Sequence, residues 1–120
     1  MKYSPAQLKV LCKSNQKELV RLLTSPGGDI STLSSGVEVL SEESTDAEVV
    51  VPVFRLLLKH VHASVREGTM MGIASFFIGK QTPTDILDRL KVMSSNDPSP
   101  NLKQFAQDLL KDLANEDTCL

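Results

Sequence analysis

Cysteine is nearly missing from this chain: two occur in 120 residues, Cys12 and Cys119, the second one residue from the C-terminus. A disulfide framework is therefore excluded as the source of stability. Tryptophan is absent, and four Phe and one Tyr are the whole aromatic complement. No apolar run approaches the roughly 18 residues that cross a bilayer, which excludes a spanning helix. The opening Met1-Lys2-Tyr3-Ser4-Pro5 lacks the apolar core of a secretory signal, so a cytoplasmic protein is expected. Catalytic signatures are missing too: there is no G-x-S-x-G, no H-E-x-x-H, no Walker loop and no paired-cysteine motif. What is present is 41% hydrophobic and 23% charged residues, with 13 Lys+Arg against 15 Asp+Glu. That apolar fraction excludes a disordered chain, and the length suits one core rather than two, so residues 1–120 are read as a single domain.

The clearest local signals are helix starts, where a Ser, Thr, Asn or Asp side chain accepts from the first-turn amides and a Glu or Gln three residues on returns the bond. Ser4-Pro5-Ala6-Gln7 is such a box, with proline at the first helical position. Leu8, Leu11, Cys12, Leu19, Leu22 and Leu23 then fit one face, and Asn15-Gln16-Lys17-Glu18 offers a restart. Residues 5–24 form one helix, or two broken near Asn15. After the turn Ser25-Pro26-Gly27-Gly28, Asp29 caps a helix from about 30 to 42 with the narrow stripe Leu33, Gly36, Val37 and Leu40.

Thr45-Asp46-Ala47-Glu48 opens the third pattern. Val49-Val50-Val51 suits a strand by propensity, but Val50, Phe54, Leu57, Leu58 and Val61 hold helical spacing through Pro52, and no second strand candidate exists to pair with it. Pro52 is expected to start the regular helix or to kink it. Ser64-Val65-Arg66-Glu67 and Thr82-Pro83-Thr84-Asp85 read as further capping boxes, with Gly79 as a helix stop between them. Ser99-Pro100 begins the last helix, whose Leu102, Phe105, Ala106, Leu109, Leu110 and Leu113 make the widest apolar face. About six helices are expected, in an all-α fold.

These helices repeat. Leu19-Val20-Arg21-Leu22-Leu23, Val53-Phe54-Arg55-Leu56-Leu57 and Ile86-Leu87-Asp88-Arg89-Leu90 align at offsets of 34 and 33 residues. Their following helices align through Leu33, Thr69 and Ala106, through Val37, Ile73 and Leu110, and through Leu40, Phe76 and Leu113. One helical hairpin cannot bury its apolar face alone, whereas three stacked hairpins share a continuous core. The expectation is a short right-handed α-solenoid with hairpins at about 5–43, 45–79 and 82–114.

The run Asp97-Pro98-Ser99-Pro100-Asn101-Leu102-Lys103, followed by Ala106 and Leu110, resembles a HEAT repeat with its turn aspartate and its apolar-basic pair on the second helix. Val65-Arg66 with Gly72-Ile73 is similar, with His60 near the position of the turn aspartate, and Asp29-Ile30-Ser31 departs most, having no basic residue at the pair position. The resemblance covers roughly Glu18 to Ala114. It implies a HEAT-like, armadillo-type fold shared by many functions, and so speaks to architecture before activity.

Reactive groups do not converge in the sequence. His60-Val61-His62 places two possible metal ligands at i, i+2 with no Cys, Asp or Glu beside them, an incomplete site, and no cofactor or metal is implied. Gly27-Gly28 ahead of a helix start suits an anion, or simply a turn. Cys12 lies on an apolar face, as a small core residue or a thiol. Met70-Met71 offers core packing for at least one side chain and a partner contact for the other. Thr118-Cys119-Leu120 has the form of a carboxy-terminal recognition tail.

Charge is more informative. Residues 1 to 21 hold five basic groups and one acid, while residues 22 to 54 hold six acids and no Lys or Arg. Asp29, Glu38, Glu42, Glu43, Asp46 and Glu48 thus form a one-sign acidic surface suited to steering a basic protein partner. The reading is a non-catalytic interaction module, monomeric or weakly self-associating, that binds through its concave or acidic helical surface; a small inhibitor such as a bacterial immunity-type protein falls in this class. The alternative is a nucleic-acid-binding HEAT-like protein using Lys9, Lys13 and Lys17 at i, i+4, i+8, although the net acidity and scarcity of aromatics disfavour it.

Overall fold

Helix caps and apolar periodicity between them account for most of the local structure. A computed structural model describes residues 3–118, with the side chains of the last four left aside; it contains seven α-helices and no strand among the described residues. They are α1 (Pro5–Ser14), α2 (Gln16–Thr24), α3 (Ile30–Glu43), α4 (Ala47–Leu57), α5 (Ala63–Phe76), α6 (Thr84–Asn96) and α7 (Pro100–Thr118). The chain divides into two compact units, Met1–Ile73 and Ala74–Leu120, the division falling within α5. Cys119 and Leu120, the last two residues of the carboxy-terminal tail Thr118-Cys119-Leu120, lie outside the described residues.

The first unit is built around α3. Ser4 caps α1 with both bonds of the capping box in place, its Oγ accepting from the Gln7 amide at 3.2 Å and its own amide donating to Gln7 Oε1 at 2.8 Å. The first helical stretch is broken at Asn15, whose non-helical backbone ends α1 and whose side chain accepts from the Glu18 amide to open α2. That break lets α1 and α2 each turn an apolar face to α3, and α2 also reaches α4. Leu8, Cys12, Leu19 and Leu23 are buried there, facing a core that includes Val37, Leu40, Val50 and Phe54.

Surrounded in this way, α3 buries more than the narrow stripe its spacing predicts. Thr32, Val39 and Ser41 are buried along with Leu33, Gly36, Val37 and Leu40. The polar members find partners within their own turns, Ser41 Oγ donating to the Glu38 carbonyl at 2.7 Å and Thr32 Oγ1 to Asp29 Oδ2 at 3.2 Å. A buried hydroxyl thus satisfied does not carry the cost of an orphaned one.

Val49 to Val51 are helical, so the strand that their propensity allows does not form. Asp46 caps α4 by accepting from the Glu48 amide at 3.0 Å. The regular helix starts at Ala47 rather than at Pro52, and Pro52 lies exposed inside it, where its ring removes the bond to the Glu48 carbonyl. Val61 falls beyond the helix end at Leu57 and is 85% exposed, which removes it from the predicted stripe. Ser64 is likewise not a cap: α5 begins at Ala63, and the His62 carbonyl receives the Val65 and Arg66 amides. Within this unit α5 comes against α3 at Gly68, where a Cβ would stand 2.7 Å from the Ser34 carbonyl oxygen, and Ser34 Oγ donates to the Ser64 carbonyl at 3.0 Å.

In the second unit, the end of α5 carries Phe76 and Phe77 edge to face with ring centroids 5.1 Å apart. Gly79 takes a positive φ of 70° just past the helix, and Lys80 returns over the Phe76 ring to donate to the Phe76 carbonyl at 3.0 Å. Both are ordinary ways to close a helix C-terminus. Helices α6 and α7 pack on each other, burying Ile86, Leu90 and Met93 with Leu102, Ala106, Leu109 and Leu113. Phe105 and Leu110, expected on the face of the last helix, are half-buried, as is Leu87. The short connection is held by Asp97, which accepts from the Ser99 amide at 2.9 Å, and by Ser99 Oγ, which accepts from the Leu102 amide.

The box at Thr82 does not form. Helix α6 starts at Thr84 with Pro83 in the capping position and no side-chain cap, because the first intrahelical bond runs from the Leu87 amide to the Pro83 carbonyl. Thr82 is left 4% exposed with its Oγ1 unpaired.

Two stability changes are expected. Gly68→Ala meets backbone, which cannot yield, and destabilises by about 1–3 kcal/mol, whereas the Cβ of Gly36→Ala meets the mobile end of Leu23 at 2.6 Å and costs less. Urea denaturation of the two variants gives the order. Thr82→Val removes an orphaned buried hydroxyl at nearly constant volume and is expected to raise stability by about 1 kcal/mol, seen as a higher urea midpoint at unchanged slope.

Candidate functional site

The acidic surface is assembled by α3 and the start of α4, with an unforeseen contribution from α5. Its six predicted members do not act alike. Asp29 is the N-cap of α3, half-buried, accepting from the Thr32 amide at 3.1 Å and from Ser31 Oγ at 2.6 Å. Asp46 is the N-cap of α4. A carboxylate at a helix N-terminus is stabilised by the amides it accepts from and by the helix dipole, so both acids have structural work of their own. Asp29 also stands a helix length away from Glu42, about 20 Å at 1.5 Å per residue, too far to share one small contact.

The other four differ in setting. Glu42 and Glu43 are exposed in the last turn of α3, where no basic residue accompanies them. This is the end of a helix at which negative charge is unfavourable. Glu43 lies near enough to Cys12 to add to the upward push that burial gives that thiol, while Gln16 Nε2, 3.8 Å from Cys12 Sγ, opposes it. Cys12 is thus a buried core residue whose thiolate is disfavoured. Glu48 lines a groove of about 380 Å³ between α2 and α4, together with Lys17, Val20, Val49 and Pro52.

Glu38 is the half-buried member, and its carboxyl is held above the usual carboxylate range first by loss of water and then by the charges of Glu42 and Glu67. Glu67 is exposed on α5, in a stretch whose charge balance is otherwise basic. It joins the acids because α5 lies against α3 at Gly68 and Ser34.

The lysine stripe is interrupted. Lys9 and Lys13 are exposed on α1, Lys17 on α2, and the break at Asn15 separates them, so the i, i+4, i+8 spacing does not lie on a single helix. Met70 is buried and Met71 exposed, as the angle between adjacent helical residues requires.

A second feature joins two segments that look unrelated in sequence. The Ser25-Pro26-Gly27-Gly28 turn and the His60-Val61-His62 loop line one cleft of about 570 Å³, whose floor includes Leu23, Leu33 and Leu57. Gly27, with φ of 76°, makes the turn possible. The loop is fixed by Arg66, 7% exposed, whose Nη1 donates to the His60 and Val61 carbonyls at 2.9 Å each. His60 Nδ1 accepts from the His62 amide at 3.1 Å, which leaves Nε2 to carry the proton of the neutral ring. Burial, then His62 and Arg66, press its protonation below the ordinary histidine range. The anion reading of Gly27-Gly28 meets the Asp29 carboxylate already seated on the first turn of α3. Among the described residues, no three His, Cys, Asp or Glu side chains gather to hold a metal ion.

Comparison with protein-family models, with curated proteins and with solved structures gives no match to this chain. No helix among the described residues is long and apolar enough to cross a membrane.

The raised Glu38 carboxyl sets a pH dependence. Its ionisation is harder in the folded protein than in the unfolded chain, so stability is lost as pH rises from the ordinary glutamate range, about 4.3, through the raised value. Glu38→Gln is therefore expected to raise the melting temperature at neutral pH and to leave it unchanged below about pH 4, as a calorimetric pH series would record.

Proposed function

We propose that this chain is a non-catalytic protein-binding module that presents the surface of Glu38, Glu42 and Glu67 to a basic partner. The observation that carries the reading is the gathering of carboxylates from two helices, the charges of Glu42 and Glu67 both acting on the half-buried Glu38, with Glu42 also in the last turn of α3 where the helix dipole opposes it. A protein surface that keeps such an arrangement gives up stability, and an incoming cationic group relieves the repulsion. Glu43 widens the same exposed edge. A small inhibitor that covers a basic enzyme fits this class.

The architecture proposed with it is a short right-handed solenoid of HEAT-like hairpins. Its support comes from within the first unit, where α2 packs on α4 and α3 meets α5, so that first helices lie against first helices and second against second. Arg66, at the basic position of the Val65-Arg66 pair, reaches back to the loop carbonyls ahead of its helix. The nucleic-acid alternative is less favoured because the lysines it relies on are divided between two helices.

Glu42 and Glu67 are both exposed, which makes them suitable for charge reversal. Partners captured from native extract at low salt are expected to associate at least about tenfold more slowly with the Glu42→Lys, Glu67→Lys protein, and the difference should shrink as salt is raised. Association rates indifferent to both changes would remove the reading.

A further inference from the structure

The cleft between the Pro26-Gly27 turn and the His60–His62 loop is separate from the acidic surface and has the attributes of a small-ligand site. Its volume of about 570 Å³ lies inside the range of roughly 300–1,000 Å³ typical of such sites. Leu23, Ile30, Leu33, Leu56, Leu57 and Val61 supply an aliphatic lining. Two of these are poorly covered for their type, Leu56 at 49% exposure and Val61 at 85%. Water against them is released when an apolar body enters.

Charge in the cleft has one sign. Lys59, His60 and His62 line it, and no Asp or Glu does. Asp29, the acid next to the turn in sequence, is committed to Ser31 and Thr32. With Nδ1 occupied by the His62 amide, His60 offers an Nε2 proton, and Lys59 adds a full positive charge. The loop that carries these groups does not need to order on binding, because Arg66 already holds its carbonyls.

We propose that this cleft binds a small apolar carboxylic acid, its hydrocarbon body against Leu23, Leu33 and Leu57 and its carboxylate toward Lys59, His60 and His62. A chain of about eight carbons fits well within this volume. Charge complementarity selects the acid over a neutral or cationic molecule of the same length, since a carboxylate gains charge-assisted hydrogen bonds that an alcohol or an amine does not.

The test uses the full chain and three probes of eight carbons each: sodium octanoate, 1-octanol and octylammonium. Methyl resonances of Leu56, Leu57 and Val61 and the ring resonances of His60 are followed by NMR during each titration. Octanoate is expected to give saturable shifts confined to these residues, with affinity at least about fivefold above octanol and no saturation by octylammonium. Lys59 and His62 are exposed, so Lys59→Gln with His62→Gln keeps the fold and should weaken octanoate about three- to tenfold while leaving octanol unchanged. Val61→Asp, at an exposed position, should weaken octanoate further by placing a like charge at the cleft. Absence of saturable shifts with octanoate, equal affinity for octanol, or unchanged octanoate affinity in the double variant would overturn the proposal. Concentration-dependent shifts of the same methyls without any probe would overturn it too, by assigning the cleft to a second copy of the chain.

Discussion

Close approach to α3 is the constraint on which the first unit depends. Fourteen residues long, this helix is touched by α1, α2, α4 and α5, and a helix with neighbours on so many sides can be accommodated only where side chains are small. Gly36 receives Leu23 from α2, and Gly68 of α5 lets backbone meet backbone at Ser34. Small hydroxyl residues fill the remaining positions and bond within their own turns, so burial of Thr32 and Ser41 leaves no orphaned group. Packing of this kind converts the sequence from a set of amphipathic segments into a defined arrangement, because each close contact fixes distance as well as face.

The same approach generates both surfaces of interest. By seating α5 on α3 it brings the charge of Glu67 to bear on Glu38, as that of Glu42 does from within α3. Where the turn that leads into α3 meets the loop that leads into α5, the cleft forms between them. Acidic edge and basic-rimmed cleft are thus opposite consequences of one helix pairing. Arg66 connects fold and site: buried on α5, it bonds the carbonyls of the loop that carries the histidines. A buried guanidinium that donates to carbonyls fixes the loop bordering the cleft.

Local chemistry was legible wherever a side chain completes its own helix. Ser4, Asn15, Asp29 and Ser99 accept from the amides that their positions in sequence imply, while in the box that opens at Thr45 the cap is the next residue, Asp46. Errors arose where a cap-like residue had a competitor. At Ser64 the chain had already turned at His62, and at Thr82 the proline that follows took the capping position itself. Val61 continued a helical spacing in sequence after the helix had ended, since periodicity describes the pattern of residues and not the length of the hydrogen-bonded ladder. Among the acids, charge sign alone made Asp29 and Asp46 look equivalent to Glu42, although capping gives the two aspartates a different task.

By itself the sequence determined the helical class, most caps and turns, and which faces are apolar, because these follow from interactions between residues within about four positions of one another. Tertiary structure alone decided that Glu67 joins Glu38, that Arg66 holds the histidine loop, and that residues 25–28 and 56–62 line one cleft. Those pairings span tens of residues. They depend on where helices settle against each other, which is fixed by the volumes of side chains at the contacts and not by the period of the pattern that carries them.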